Sequence, residues 1–258
     1  MFYRIYPFFA YLRYFLLKVD RHSLQGPFAF QIYDTLMDFT KQKRDPTLEK
    51  KRHRLLSNDS SITVQDFGSG SIHLKHPVRK ISAITKHSSS QPKFSLLYQY
   101  FCSISPAYMV LELGTCVGMT TCYLAKVTKG TVYTFEGAPE LAQVAKNTFS
   151  DFPNVTLLPG HLSSTLPSFL EQRPTVNFAL IDAHHNYPAT LAFWNTLLPH
   201  LKEDSIVIIG DIHRSIEMEK AWEAIKSHVA VTMSMDFFEC GVVFFKKGLK
   251  KQHYILHY

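Results

Sequence analysis

From residue 109 onward the apolar positions fall into short runs rich in β-branched residues, each followed by a stretch whose apolar positions keep helical spacing. The strand-like runs are MVLELG (109–114), TVYTFEG (131–137), VTLLPG (155–160), VNFALIDA (176–183) and SIVIIGDI (205–212). Between them Leu141, Val144, Ala145 and Thr148 recur at i, i+3, i+4 and i+7, and Met218, Ala221, Trp222 and Ile225 repeat the spacing, as a helix with one buried face requires. Pro139 stands where a first helical turn accepts proline. Such alternation predicts parallel strands joined by helical crossovers. The end of the chain breaks the rhythm. VAVTMSMDFF (229–238) and GVVFFKKG (241–248) lie too close together for a helical crossover and are predicted to pair as an antiparallel hairpin. The expected fold is α/β and Rossmann-like, with five parallel strands plus the C-terminal hairpin in a seven-stranded sheet carrying helices on both faces.

Residues 1–100 do not share this pattern and read as a mostly helical cap or substrate region ahead of a cofactor-binding domain at 101–258. Polar stretches at 41–61 and 86–93 look like loops within it. The N-terminal run MFYRIYPFFAYLRYFLLKV is greasy, but Arg4, Pro7 and Arg13 interrupt it short of the ~20 apolar residues a membrane span requires. It is expected to pack on its own domain, to join a second subunit in a homo-oligomer, or to lie on a membrane surface as a peripheral contact.

Composition sharpens this division. With 46% apolar residues in 258, the chain can bury a large core. Residues 1–100 hold 16 Lys+Arg against 7 Asp+Glu, whereas residues 101–258 hold 12 against 14. A basic front suits an anionic partner. Its KKRHR run (50–54) lacks the interleaved aromatics that stack bases, however, so it reads as a solvated face and nucleic acid is disfavoured as a partner. Cys102, Cys116, Cys122 and Cys240 show no metal-type spacing and no secretory signal precedes them, which fits reduced thiols in a cytoplasm.

Two glycine loops compete for a nucleotide. In VQDFGSGS (64–71) the glycines are followed by SIHLKHPVRK, where Pro77 interrupts any helix starting at the turn; this loop is either a turn needing positive φ or a lid beside the site. VLELGTCVGMTTCYLA (110–125) has strand, turn and helix in succession, with Gly114 and Gly118 where a close backbone approach is needed. It lacks the G-x-G-x-x-G spacing of a dinucleotide fingerprint. Glu136 ends the next strand 22 residues after Gly114, where an acid accepts both ribose hydroxyls of an adenosine ligand. Glu112 adds a negative charge that would repel a pyrophosphate and attract an ammonium or sulfonium. S-adenosylmethionine is therefore favoured over NAD.

The set E-L-G-T-x-x-G, the Glu-tipped second strand, FALIDAHHNY (178–187), VIIGDIH (207–213) and the closing hairpin resembles the class I S-adenosylmethionine-dependent methyltransferases over residues 109–247. The resemblance is closest to O-methyltransferases of the catechol and macrolide-sugar type, and the whole chain is similar to an uncharacterised bacterial group of them. It implies an O-methyltransferase-like enzyme whose cofactor site comprises Glu112, Gly114, Thr115, Gly118, Glu136, Gly137, His161 and Asp182. His161 stands where relatives carry an acid or amide near the adenine.

Methyl transfer to a hydroxyl needs an aligned nucleophile and a base or metal to draw off its proton. Asp182 and Asp211 end the fourth and fifth strands, expected neighbours, and together would converge on a hard cation such as Mg²⁺. In catechol-type relatives two such aspartates and a following asparagine hold the metal; here Ile212 occupies the asparagine position, and Gly210 stands where the uncharacterised group carries a second acid. His185 and His213 follow these aspartates and suit proton removal near neutrality, with His213 the first choice as base. The catalytic candidates are thus Asp182, His185, Asp211 and His213. Tyr187 either packs over a substrate or starts a helix. The acceptor is expected to be a small molecule or a sugar- or lipid-linked hydroxyl. The competing readings are an NAD(P)-dependent oxidoreductase and a cofactor-binding module without catalysis.

Overall fold

The computed structural model describes residues 2–24, 26–42, 45–65, 74, 76–172 and 175–258. Helices α1 (Phe2–Leu17), α2 (Pro27–Gln42) and α3 (Pro46–Leu56) lead to a small hairpin of β1 (Ser61–Thr63) and β2 (Val78–Lys80), then α4 (Ile81–His87) and α5 (Pro92–Ile104). The alternating part follows: β3 (Met109–Leu113), α6 (Met119–Ala125), β4 (Thr131–Glu136), α7 (Pro139–Thr148), β5 (Val155–Pro159), α8 (Leu162–Leu170), β6 (Val176–Ile181), α9 (Tyr187–Leu197), β7 (Leu201–Gly210) and α10 (Ile216–Ser227). Strands β8 (Met233–Asp236), β9 (Cys240–Phe244) and β10 (Gln252–Ile255) close the chain.

The main sheet has the order β10-β8-β9-β7-β6-β3-β4-β5. Strands β3 to β7 are mutually parallel, and β9 runs antiparallel to both β7 and β8, as the hairpin spacing predicts. The expected seven strands become eight. Gln252–Ile255 pairs in parallel with Met233–Asp236 and covers what would otherwise be an open edge. This four-residue strand follows the polar run KKGLKK and carries too little alternation to announce itself.

Period-2 alternation sorts the strand side chains between two cores. Val110, Val132, Phe178, Leu180, Ile206 and Ile208 pack under α2 and α5. Leu111, Leu113, Phe135, Ala179, Ile181, Val207 and Ile209 pack under α8, α9 and α10, whose Trp194 and Trp222 are fully buried.

The N-terminal third is woven into this body. Position 100 lies inside α5, whose Leu97 and Phe101 belong to the sheet core. The C-terminal tail stitches the front helices down: Tyr14 Oη donates to Leu256 O at 2.6 Å, Tyr33 Oη to His257 O at 2.5 Å, and Tyr258 Oη to Lys93 O at 2.6 Å. The stretch 41–61, read as loop, contains α3. Its start is marked by Asp45, which accepts from Thr47 N and Leu48 N, and by Pro46 in the first turn; its narrow apolar side explains why periodicity missed it. The KKRHR run is partly engaged, since Lys51 donates to Thr148 O and Asp151 and Arg52 donates to Ser90 O. Among the described residues no helix is long and apolar enough to cross a membrane.

Candidate active site

A cavity of about 540 Å³ opens at the carboxyl ends of β3, β4, β6 and β7. This is where the strand order reverses between β3 and β6 and where open α/β sheets bind ligands. Gly114, Thr115, Glu136, Gly137, His161, Asp182, His185 and Asp211 all line it, so eight of the residues singled out in the sequence meet in one place. The DFGSGS loop (66–71) lies outside the described residues.

The turn after β3 is built tight. Gly114 has φ +107, and a Cβ there would come 2.4 Å from Asp182 O, so only glycine lets β3 and β6 end side by side. Cys116 N donates to Glu136 Oε2 at 2.9 Å and Ala138 N to Oε1 at 3.0 Å, fixing the acid at the cavity wall. Phe135, Leu141 and Leu162 beside it make an apolar slot. A carboxylate, a glycine turn and an apolar slot in this arrangement fit a ribose with its base. Gly118 is not on the wall. At φ +79 it starts α6 where a Cβ would meet Ala145 O at 3.2 Å, so it serves the packing of α6 on α7.

Glu112 also departs from expectation. Alternation along β3 turns it away from the cavity, where it is fully buried and accepts from Thr121 Oγ1 at 2.5 Å and Thr134 Oγ1 at 2.6 Å. Thr134 in turn meets Thr115 Oγ1 at 2.6 Å, so a polar chain runs from the acid to the turn. Burial pushes the Glu112 carboxyl up to about 8, which makes it a neutral brace under the loop near pH 7, with no charge to offer a ligand.

On the other side of the cavity, Asp182, His184, His185, Asp211, Arg214 and Glu239 face one another. His184, His185 and Asp211 all have positive φ, a strained backbone that aims these side chains inward. Asp211 Oδ2 lies 3.5 Å from His185 Nδ1 and 3.2 Å from Arg214 Nη1. Ser90 Oγ, on the serine loop held by Arg52, lies 3.4 Å from Asp182 Oδ2. Burial raises Asp182 above the usual carboxylate range, with Asp211 adding to the effect and His185 opposing it; burial likewise raises Glu136 and Glu239. Three such carboxylates around one cavity attract a cationic ligand to their ionised forms. Burial, with His161 and His185 nearby, lowers His184 and keeps its imidazole neutral.

The residues present do not fit the metal expected on Asp182 and Asp211. Among the described residues no three His, Cys, Asp or Glu side chains gather to hold an ion. Arg214 already occupies Asp211, Ile212 points into the core, and a Cβ at Gly210 would come 2.1 Å from Asp182 Oδ1, leaving no room for an acid side chain there.

His213, the first choice as base, is absent from the cavity. It is 4% exposed, its Nε2 lies 2.7 Å from Asp236 Oδ2, and its ring stacks on Phe238 beneath α1. One residue after Ile212 enters the core, the chain turns His213 toward the β8–β9 end. Tyr187 begins α9 and also lies off the wall. The sequence reading missed Arg214, His184, Tyr98, Glu239 and the serine loop. Arg214, three residues after Asp211, and His184, next to His185, had a local signal.

Residues 111–212 match a family described as a methyltransferase domain. No curated protein matches the chain in sequence. Among solved structures, the chain is similar to an O-methyltransferase from Bacillus cereus in complex with SAH, at 16% identity over 81% of this chain and 99% of that one, TM-score 0.57. It is also similar to the O-methyltransferase TomG from Streptomyces achromogenes, involved in tomaymycin synthesis and in complex with SAM, at 14% identity over 83% and 96%, TM-score 0.56. The SAH-bound methyltransferase PaMTH1 of Podospora anserina is similar at 12% identity over 87% and 100%, TM-score 0.60. Residues 111–212 thus match a methyltransferase domain, and the chain shares the fold of these solved methyltransferases.

Proposed function

We propose that the protein is an S-adenosylmethionine-dependent O-methyltransferase that methylates a hydroxyl of a small molecule or of a sugar- or lipid-linked acceptor. The observation that carries this reading is that one cavity is lined both by a glycine turn with a buried acid, Gly114 and Glu136, and by a histidine–aspartate pair, His185 and Asp211. S-adenosylmethionine supplies, when bound, a methyl carbon activated by a positive sulfur. Glu136 accepts the ribose hydroxyls, Gly114 and Thr115 admit the ligand against the backbone, and His161 with Leu162 flanks the adenine. Asp182, at the end of β6, adds negative charge near the cationic part of the ligand.

For the acceptor, His185 is the base. Asp211 Oδ2 stands 3.5 Å from Nδ1 and would accept from it once the contact tightens around a ligand, leaving Nε2 to take the hydroxyl proton; Arg214 fixes Asp211 in turn. His184 is a neutral imidazole available beside it. Ser88 to Gln91, Phe94 and Tyr98 line the same cavity, so the first hundred residues shape the acceptor side and shield it from water. The four free thiols suit a reducing compartment, and we assign the protein to the cytoplasm.

Titration calorimetry with S-adenosylmethionine and with NAD tests the reading. Binding of the cationic ligand favours ionised carboxylates, so it should release protons and tighten as pH rises through the carboxylate range. Tighter binding of NAD would replace this reading by the oxidoreductase one. Incubating the protein and a labelled methyl donor with a metabolite extract identifies the acceptor atom.

A further inference from the structure

We propose that α1 docks the protein on an anionic lipid bilayer. Helix α1 buries only one narrow side: Ala10 and Tyr14 are buried, Tyr14 and Tyr11 rest against Phe238, and Arg13 pairs with Glu219. Its other side is apolar and uncovered. Ile5, Phe8, Phe9, Leu12 and Leu16 follow one another at helical spacing and, with Phe15 and Leu17, form a continuous stripe; Phe8 is 64% and Leu16 72% exposed. Exposed apolar residues scattered singly need no explanation, but a stripe along a whole helix does.

Charge selects the occupant. No Asp or Glu occurs from residue 2 to residue 19. At the end of the stripe Lys18 lies 4.5 Å over the Phe15 ring, and Lys93 lies 4.5 Å over Tyr258. Among the described residues neither lysine has an acid partner. Burial lowers Lys93, and the Lys18 charge lowers it further; both lysines also lower His257, after burial, with Asp20 opposing them. Two lysines without an ion-pair partner among the described residues, at one end of an apolar stripe, match anionic head groups above an acyl layer. Two copies meeting through this face would set these cations against each other. The stripe is too short to span, so the helix lies in the interface plane.

Co-sedimentation of the full chain with vesicles of phosphatidylglycerol and phosphatidylcholine in equal parts, against vesicles of phosphatidylcholine alone, tests the proposal. Binding is expected on the anionic vesicles and weakens with added salt. The triple variant Phe8→Ser, Leu12→Ser, Leu16→Ser changes only exposed positions and should lose binding by about tenfold or more, as should Lys18→Glu, while both keep the parent's heat of S-adenosylmethionine binding. That last readout separates failure of the docking surface from failure of the cofactor site. Equal binding to neutral vesicles, binding that survives either variant, or a lipid-free dimer that the triple variant dissolves would overturn the proposal.

Discussion

Two histidine–aspartate pairs stand at the carboxyl ends of strands of the main sheet, β6 with β7 and β7 with β8, in opposite surroundings. His185 and Asp211 meet at 3.5 Å in the wall of the cavity, with Arg214 on the same carboxylate. His213 and Asp236 meet at 2.7 Å, sealed beneath Tyr14 and Phe238. The residue types are the same; solvent and access differ. The dry, short pair has no free face for a substrate and acts as a clamp between the β7 end and β8. The longer pair keeps one ring nitrogen for chemistry, and such contacts often tighten only when a ligand arrives.

The largest effect expected from this contrast is on turnover. His185→Ala should lower kcat by about 10²- to 10⁴-fold with S-adenosylmethionine affinity unchanged, and Asp211→Asn should fall between it and the parent. Full activity in His185→Ala with loss in His184→Ala would move the base by one residue. The sealed pair should respond in stability instead. His213→Ala strands a buried carboxylate and should cost about 3 kcal/mol, or roughly 10 °C in Tm, with kcat per folded molecule preserved; loss of kcat at unchanged Tm would return His213 to the catalytic set. Next comes Glu136→Gln, which weakens the acceptance of ribose hydroxyls and should raise the Kd for S-adenosylmethionine by about one to two powers of ten, read by calorimetry.

A further effect concerns pH. The Glu112 carboxyl sits at about 8 in the folded protein against an ordinary 4.5, so its stabilising contribution is complete below about pH 4.5 and is lost as the pH climbs through about 8. Glu112→Gln keeps an oxygen for Thr121 and Thr134 but cannot titrate. Its Tm should therefore fall less than the parent's between pH 5 and pH 8; parallel curves would show that Glu112 is ionised throughout.

What the sequence made legible was whatever depends on neighbours in the chain. The βα rhythm places β3 to β7, and the turn at Gly114, the acid at Glu136 and the strand-end aspartates follow from it. Misread were features settled by distant segments. Whether Glu112 faces ligand or core depends on the phase of β3 relative to α6, one residue in two. His213 is hidden by α1 and the Phe238 turn, one from the far end of the chain and one from the last hairpin. The serine loop reaches Asp182 because Arg52 of α3 holds it there, a link across 38 residues that no local pattern encodes.

Gly210 carries a consequence for how this site can change. A side chain there would overlap the Asp182 carboxylate, so adding an acid to build a three-carboxylate centre collides with the ligand it is meant to join. Conversion of this site to divalent-ion chemistry by single replacements is thereby closed off at that position. A designer seeking it would first have to spread the tips of β6 and β7 apart.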